Sequence, residues 1–500
     1  MTGIPVRFDS SPMVRARFSR IAATLRSPPA GESSEKRGPP RSARPRLDGG
    51  PFGIIFQQGD SLMRYWLPML ACAMTLHAEA TSAAGFVRAS EGHFQRDGKP
   101  YTFLGANFWY GMNLGAEGPE GDRARLAREL DRLAALGVTN LRILAATEGP
   151  ESEPWRILPV LQPSPGEYHE ASLLGLDFLL KEMKARGMVA VVCLNNFWPW
   201  SGGMAQYLRW SGAGPIPYPP PEPGGSWGGY QAYTASFYSN PAAVEASHDL
   251  IRMLLGRRNH FTGVRYTDDP TIMAWELANE PRGGANVEAF NAWIERTAAL
   301  IKSLDPRHLV TTGTEGETLW PRRSGLDLVK NHRSSSIDYI TAHVWVQNWG
   351  IYDPGRPATF DSAIQVMTAY LERHIEQAKI LGKPLVVEEF GFPRDRGRHD
   401  PDATTTARDR YYRAVFEVVL EAIRKGEPVG GANFWAWSGE GRPRLPGGHW
   451  RKGDAFLGDP PHEAQGWYGV YDTDQTTLRV IAEYTRKIAT GRRRPPHTRP

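Results

Sequence analysis

The feature of this chain that most restricts its fold is a rhythm. From about residue 86, short apolar runs without clean alternation take turns with amphipathic helical stretches. YTFLGAN (101–107), TNLRIL (139–144), MVAVVCLNN (188–196), TIMAWELANE (271–280), HLVTTG (308–313), IDYITAHVW (337–345), KPLVVEEFG (383–391) and GANFWAW (431–437) read as eight strands. Between most of them lies a helix such as DRARLARELDRLAALG, with Leu126, Leu130, Leu133 and Ala134 on one face and Gly137 as its stop. Strands covered on both faces lose the in–out alternation. Eight of them with crossover helices predict an α/β fold, a (β/α)8 TIM barrel, as a single domain over residues 85–488.

The remaining segments look different. Residues 1–62 are rich in Arg, Pro, Ser and Gly without a sustained period, and are expected to be a disordered basic extension. Residues 1–50 carry ten Lys and Arg against four Asp and Glu, a surplus of six that exceeds the +5 of the whole chain. The barrel itself is therefore mildly acidic, and nothing favours a nucleic-acid partner. MRYWLPMLACAMTLHAEA, from Met63, has a positive Arg64, an apolar run from Trp66 to Leu76, and small residues at Ala78 and Ala80. Residues 63–84 are thus expected to be a signal peptide, with Met63 a candidate start and the product secreted or periplasmic without stable membrane insertion. Residues 489–500 read as a basic disordered tail. Cys72 lies in the signal segment and Cys193 in an apolar strand, which leaves no disulfide framework. The Pro-rich insert 211–229 after the third strand is expected to be neither helix nor strand, and either walls a cleft or is a passive excursion.

In such a barrel the chemistry sits at the carboxyl ends of the strands. The side chains there are Asn107 with Trp109, Arg142, Asn195 with Asn196, Asn279 with Glu280, His343 with Trp345, Glu388 with Glu389, and Trp435. Two strands deliver carboxylates. One held protonated and one ionised, between aromatic walls, suit hydrolysis of a glycosidic bond. Strand alternation predicts that only one of Glu388 and Glu389 points inward. Glu276 shares the parity of Glu280 and is expected lower in the barrel as a structural carboxylate. Arg142 could neutralise Glu276 in the core. His169, His248, His260 and His308 lack ligand spacing, and no HExxH or paired-Cys motif occurs, so neither metal nor cofactor is expected. Trp198, Trp200, Trp210, Trp349 and Trp437 lie beside post-strand loops, as cleft walls or as rim packing.

WELANEPR, LNNFWPWSGGMAQYL, TAHVWVQNWG, VVEEFGFPRD with TARDRYY, GANFWAWSG and GVYDTD stand in an order similar to that of family-five glycoside hydrolases of clan A. Over residues 86–488 the chain most resembles the secreted endo-β-1,4-mannanases of that family. The resemblance implies Glu280 as acid/base and Glu389 as nucleophile. It implies Asn279 on the sugar 2-hydroxyl, Arg142 keeping the nucleophile ionised, His343 in a subsite and Trp435 under the reacting sugar; Trp109 and Asn196 join the substrate-binding set. Many relatives have Tyr where this chain has Trp345, whose indole can donate to the nucleophile but not accept. The implied activity is retaining endo-hydrolysis of mannan, glucomannan and galactomannan by a monomer without cofactor. The alternatives are an endo-β-1,4-glucanase, an exo-acting β-mannosidase if the Pro-rich insert closes one end of the cleft, and a catalytically silent glycan-binding barrel.

Overall fold

The computed structural model describes residues 85–490; the expected disordered extension at 1–62, the expected signal peptide at 63–84 and residues 491–500 lie outside the described residues. The chain opens with a small antiparallel sheet that sequence periodicity does not reveal, because its strands are two to four residues long: β1 (Val87–Ser90), β2 (His93–Arg96) and β3 (Lys99–Pro100). Val87 and Phe94 from this sheet pack with Phe103, Val189, Val191, Leu309, Tyr339 and Val386 in a separate apolar cluster. Phe94 meets Tyr339 edge-on at 5.4 Å. The sheet thereby plugs the amino-terminal end of the barrel and leaves the opposite end for chemistry.

The barrel strands are β4 (Phe103–Asn107), β5 (Asn140–Leu144), β6 (Val189–Cys193), β7 (Ile272–Glu276), β8 (Leu309–Thr311), β9 (Ile340–Val344), β10 (Leu385–Phe390) and β11 (Val429–Phe434). They form one parallel eight-stranded sheet running from β8 through β4 and round to β9. β8 is only three residues long, so its seam with β9 is bridged partly by side chains: Thr311 donates to the Tyr339 carbonyl at 3.0 Å and Thr341 to that of Thr314 at 2.7 Å. All eight expected strands are present.

Among the described residues seven long helices, from Arg123–Ala135 to Gln475–Thr490, clothe the outside. Leu126, Leu130 and Leu133 are buried along the first, whose start is capped by Asp122 accepting from the Arg125 N–H at 2.8 Å. The last extends through Thr490, past the expected start of the tail at 489. The β8-to-β9 crossover is the exception, with two four-residue helices, Pro321–Ser324 and Leu328–Asn331.

The Pro-rich insert also departs from expectation at its end. Residues 227–229 are helical, in Trp227–Thr234, because Ser226 caps that helix by accepting from the Gly229 N–H at 3.2 Å. A further helix, Gly203–Trp210, stands just before the insert. Beyond β11, β12 (Trp437–Gly439) and β13 (Val470–Tyr471) pair and pin the two ends of the long loop between them. Among the described residues no helix is long and apolar enough to cross a membrane.

Candidate active site

The alternation rule fails at one decisive place. In the β9–β10 ladder Val387 pairs with Ala342 but Glu389 pairs with His343, so Glu388 is an extra residue in a bulge. Both glutamates therefore face inward, and both reach Arg142. Arg142 Nη1 donates to Glu389, and Nε lies 3.6 Å from Glu388. The same guanidinium holds Glu276 through two bonds of 2.8 and 2.6 Å. The two roles considered for Arg142 are thus combined in one side chain. Its remaining donors go to Asn279 at 2.8 Å and Asn107 at 3.2 Å. Cys193, below this layer, is a buried free thiol.

Glu280 arrives from the other side. It follows β7 in the left-handed region, φ +49°, a conformation disfavoured for a residue with a Cβ, and is held by its own N–H donating to the Gly313 carbonyl at 2.9 Å. Trp198 Nε1 donates to Glu280 Oε2 at 2.7 Å, and His343 Nδ1 lies 2.8 Å from Oε1. His343 Nδ1 is also 3.5 Å from Glu389 Oε2, to which Trp345 Nε1 donates at 3.2 Å. One oxygen from each of Glu280 and Glu389 and a ring nitrogen of His343 lie within 4.8 Å of one another, and among the described residues these three are the one group with metal-ligand spacing. Their atoms are the ones that paired-carboxylate chemistry itself uses.

Residues 84–493 match the family described as GH family 5 beta-mannosidase-like. The chain belongs to glycoside hydrolase family 5. A family 5 mannosidase structure from Rhizomucor miehei is 38% identical, with a TM-score of 0.76, covering 82% of this chain and 99% of that one. An endo-β-1,4-mannanase structure from Thermotoga petrophila is 25% identical, TM-score 0.58, covering 81% of this chain and 79% of that one. Among curated relatives, the putative mannan endo-1,4-beta-mannosidase 9 of Oryza sativa subsp. japonica is 33% identical over 385 residues, 73% of this chain and 85% of its own length.

In this family 5 chain, burial governs the electrostatics. It raises the carboxyl groups of Glu280, Glu388 and Glu389 above the usual carboxylate range, while Arg142 pulls all three back. Burial also lowers the His343 imidazole to about 3, so the ring is neutral. Three carboxylates, Glu276, Glu388 and Glu389, share one guanidinium. Glu389 has its direct bond, whereas buried Glu388 touches it only at 3.6 Å and has one oxygen without a partner.

The other sequence-derived residues divide. Trp109, Arg142, Asn279 and Trp435, with Asn107, Cys193 and Trp200, line a small recess beside the Arg142 guanidinium. Trp109 nevertheless spends its N–H on the Gly458 carbonyl at 2.8 Å. Asn196 does not line the recess. Its side chain is fully buried between Ser201, the Trp198 N–H and the Asn279 amide, each at 3.0 Å, and so it orients Asn279 rather than meeting a ligand. Sequence reasoning missed Glu315, which binds Arg282 at 2.6 and 2.7 Å; Arg282 in turn lies under the Trp198 ring at 4.9 Å. A carboxylate just beyond a short strand was the available signal.

The loops complete the mouth. Trp227, at the end of the Pro-rich insert, meets Trp198 at 5.7 Å and His462 at 5.7 Å. Tyr218 of the insert donates to Glu153 at 2.6 Å, and Trp155 donates to Glu222 at 3.2 Å. Lys452 pairs with Glu151 at 2.9 Å. The loops after β5, β6 and β11 are thereby tied together along one side of the site, so the insert is part of the cleft wall.

Proposed function

We propose that the chain is a retaining endo-hydrolase of β-1,4-mannosidic linkages in mannan, glucomannan and galactomannan, with Glu280 as acid/base and Glu389 as nucleophile. The observation that carries this is the convergence of the two carboxylates and His343 within 4.8 Å. Carboxyl groups about 5 to 5.5 Å apart suit attack by one of them, whereas inverting pairs stand roughly 6.5–9.5 Å apart to admit a water. Glu389 attacks the anomeric carbon as Glu280 gives its proton to the departing oxygen. Glu280 then takes a proton from water, which releases the sugar from Glu389. The names carried by the rice and Thermotoga relatives support mannan over the glucan of the rival endo-glucanase reading. Galactomannan and carboxymethyl-cellulose, assayed side by side, with the anomer of the first product read by NMR, test the proposal. Cellulose preference, an α-anomer first, or polysaccharide binding without hydrolysis would each overturn it.

The tied loops favour a second reading, trimming of short chains from one end. The Rhizomucor miehei mannosidase, 38% identical, also has a structure in complex with mannosyl-fructose, a small saccharide. Mannose released singly from mannohexaose, without loss of galactomannan viscosity, would select this reading. Action outside the cytoplasm belongs to the same proposal, on the charged, apolar and small residues after Met63, and so does a monomer, since Glu280, His343 and Glu389 all come from one chain. Mass spectrometry of the mature amino terminus and light scattering test both.

A further inference from the structure

We propose that Glu388 is a positioning residue for the acid/base: its carboxyl donates to Nε2 of His343 and so holds the ring in the tautomer whose Nδ1–H is given to Glu280. The argument begins with the bulge that turns Glu388 inward. Its Oε2 lies 3.5 Å from His343 Nε2, and its Oε1 is a buried oxygen without a hydrogen-bond partner. Both residues are essentially shielded from solvent.

A neutral imidazole has one N–H and one lone pair. Two carboxylate oxygens face Nδ1, from Glu280 at 2.8 Å and Glu389 at 3.5 Å; a protonated Glu280 can accept from Nδ1 or donate to it, so the group at Nε2 decides whether the ring proton stays at Nδ1. With the proton at Nδ1, Nε2 presents a lone pair, and Glu388 is the group opposite that can supply a hydrogen to it. Burial favours the protonated form of that carboxyl, with Glu276 acting in the same direction by charge and as a neighbouring hydrogen-bond partner, and Arg142 against it. Around this pair stand Arg142 on β5, Glu276 on β7, Glu280 and Arg282 beyond β7, Glu315 beyond β8, Tyr339 below β9, and Glu389 beside Glu388 on β10.

The consequence reaches the chemistry. With Nδ1–H on Glu280 Oε1, the transferable proton resides on Oε2, the oxygen that Trp198 holds. The opposite tautomer would accept the Glu280 proton at Nδ1 and draw it away from the leaving group. Only the kinetic consequence rests on Glu280 being the acid/base; the tautomer itself does not.

The test uses the full chain labelled with ring-¹⁵N histidine, together with Glu388→Gln and Glu388→Leu. Expected are the Nδ1-protonated neutral pattern for His343 in the unmodified protein and in Glu388→Gln, whose amide N–H replaces the carboxyl proton, and its loss in Glu388→Leu. With an aryl β-mannoside, Glu388→Leu should lose about tenfold or more in kcat, its basic limb moving up by about one pH unit as the Glu280 carboxylate loses a donor, and Glu388→Gln should restore both. An Nε2-protonated His343 in the unmodified protein overturns the proposal, and so does a Glu388→Leu limb and spectrum identical to those of the unmodified protein. Should the aryl mannoside not be cleaved at all, the functional reading fails while the spectra still decide the tautomer.

Discussion

Replacing Arg142 by Met removes the one cation that three buried carboxylates share while keeping most of the packed stem. The side chain is 4% exposed, so solvent neither screens the lost charge nor fills the gap. Five donated bonds disappear, two to Glu276 and one each to Asn279, Asn107 and Glu389. Removing one partner of a buried ion pair costs about 3–5 kcal/mol, and that range applies here at neutral pH. The pH dependence is the sharper expectation. Folding already raises Glu388 and Glu389 above their unfolded values, and losing Arg142 raises them further. The folded variant then binds more protons than its unfolded chain, so its stability falls as pH rises through that range. The deficit should be small near pH 4.5, where the folded carboxyl groups are protonated, and largest near pH 8, growing by about 1.4 kcal/mol for each unit that a pKa moves. Urea unfolding followed by Trp fluorescence at the two pH values measures it. Arg142→Lys, which keeps the charge but not the fork of donors, should fall between. A deficit equal at both pH values, or larger in acid, would refute the electrostatic account and leave only lost packing.

Three further outcomes follow from the same contacts. Glu280→Ala should lower turnover of mannosides with poor leaving groups by about 10²–10⁴-fold, and azide should rescue it with formation of the β-mannosyl azide; an α-azide would assign Glu280 the other role. Trp345→Phe deletes the 3.2 Å N–H bond to Glu389 and should cost about 10- to 100-fold in kcat, measured at saturating substrate, since a bond to a charged group contributes roughly 1.5–3 kcal/mol. Trp198→Phe removes the 2.7 Å donor from Glu280, which favours its protonated form; the basic limb of the pH–rate profile should move upward, and a downward shift would contradict the assignment.

The barrel was legible because its strands are covered on both faces and its helices on one, which writes two distinct periods into the chain. Segments that answer to local contacts were not. The β1–β3 sheet is too short to carry a period, and the helix at Trp227 is set by one capping serine. At Glu388 the rule of alternation misleads, since a bulge cannot be read from apolar spacing, and it brings in both carboxylates where alternation allowed one. Asn196 shows a different limit: position at a strand end is visible in sequence, but whether its amide meets a ligand or another amide depends on loop contacts with Ser201 and Asn279.

What separates the roles of Glu280 and Glu389 is neither burial nor the number of donors, for both are buried and each has two neighbouring N–H groups. It is the charge of those donors. Glu280 is met by the indole of Trp198 and the neutral ring of His343, so its ionised form gains dipoles at hydrogen-bond distance and feels the charges of Arg282 and Arg142 only without a direct bond. Glu389 is met by an indole and by a full guanidinium, so its ionised form gains a counter-ion. Arg282 could have erased the difference, since its charge also acts on Glu280, but both arms of its fork are committed to Glu315. In a pocket where desolvation raises every carboxyl group, a cation bonded directly to Glu389 and none bonded directly to Glu280 favours the proton on Glu280. This agrees with the proposed acid at the Trp198 wall and the proposed nucleophile at Arg142.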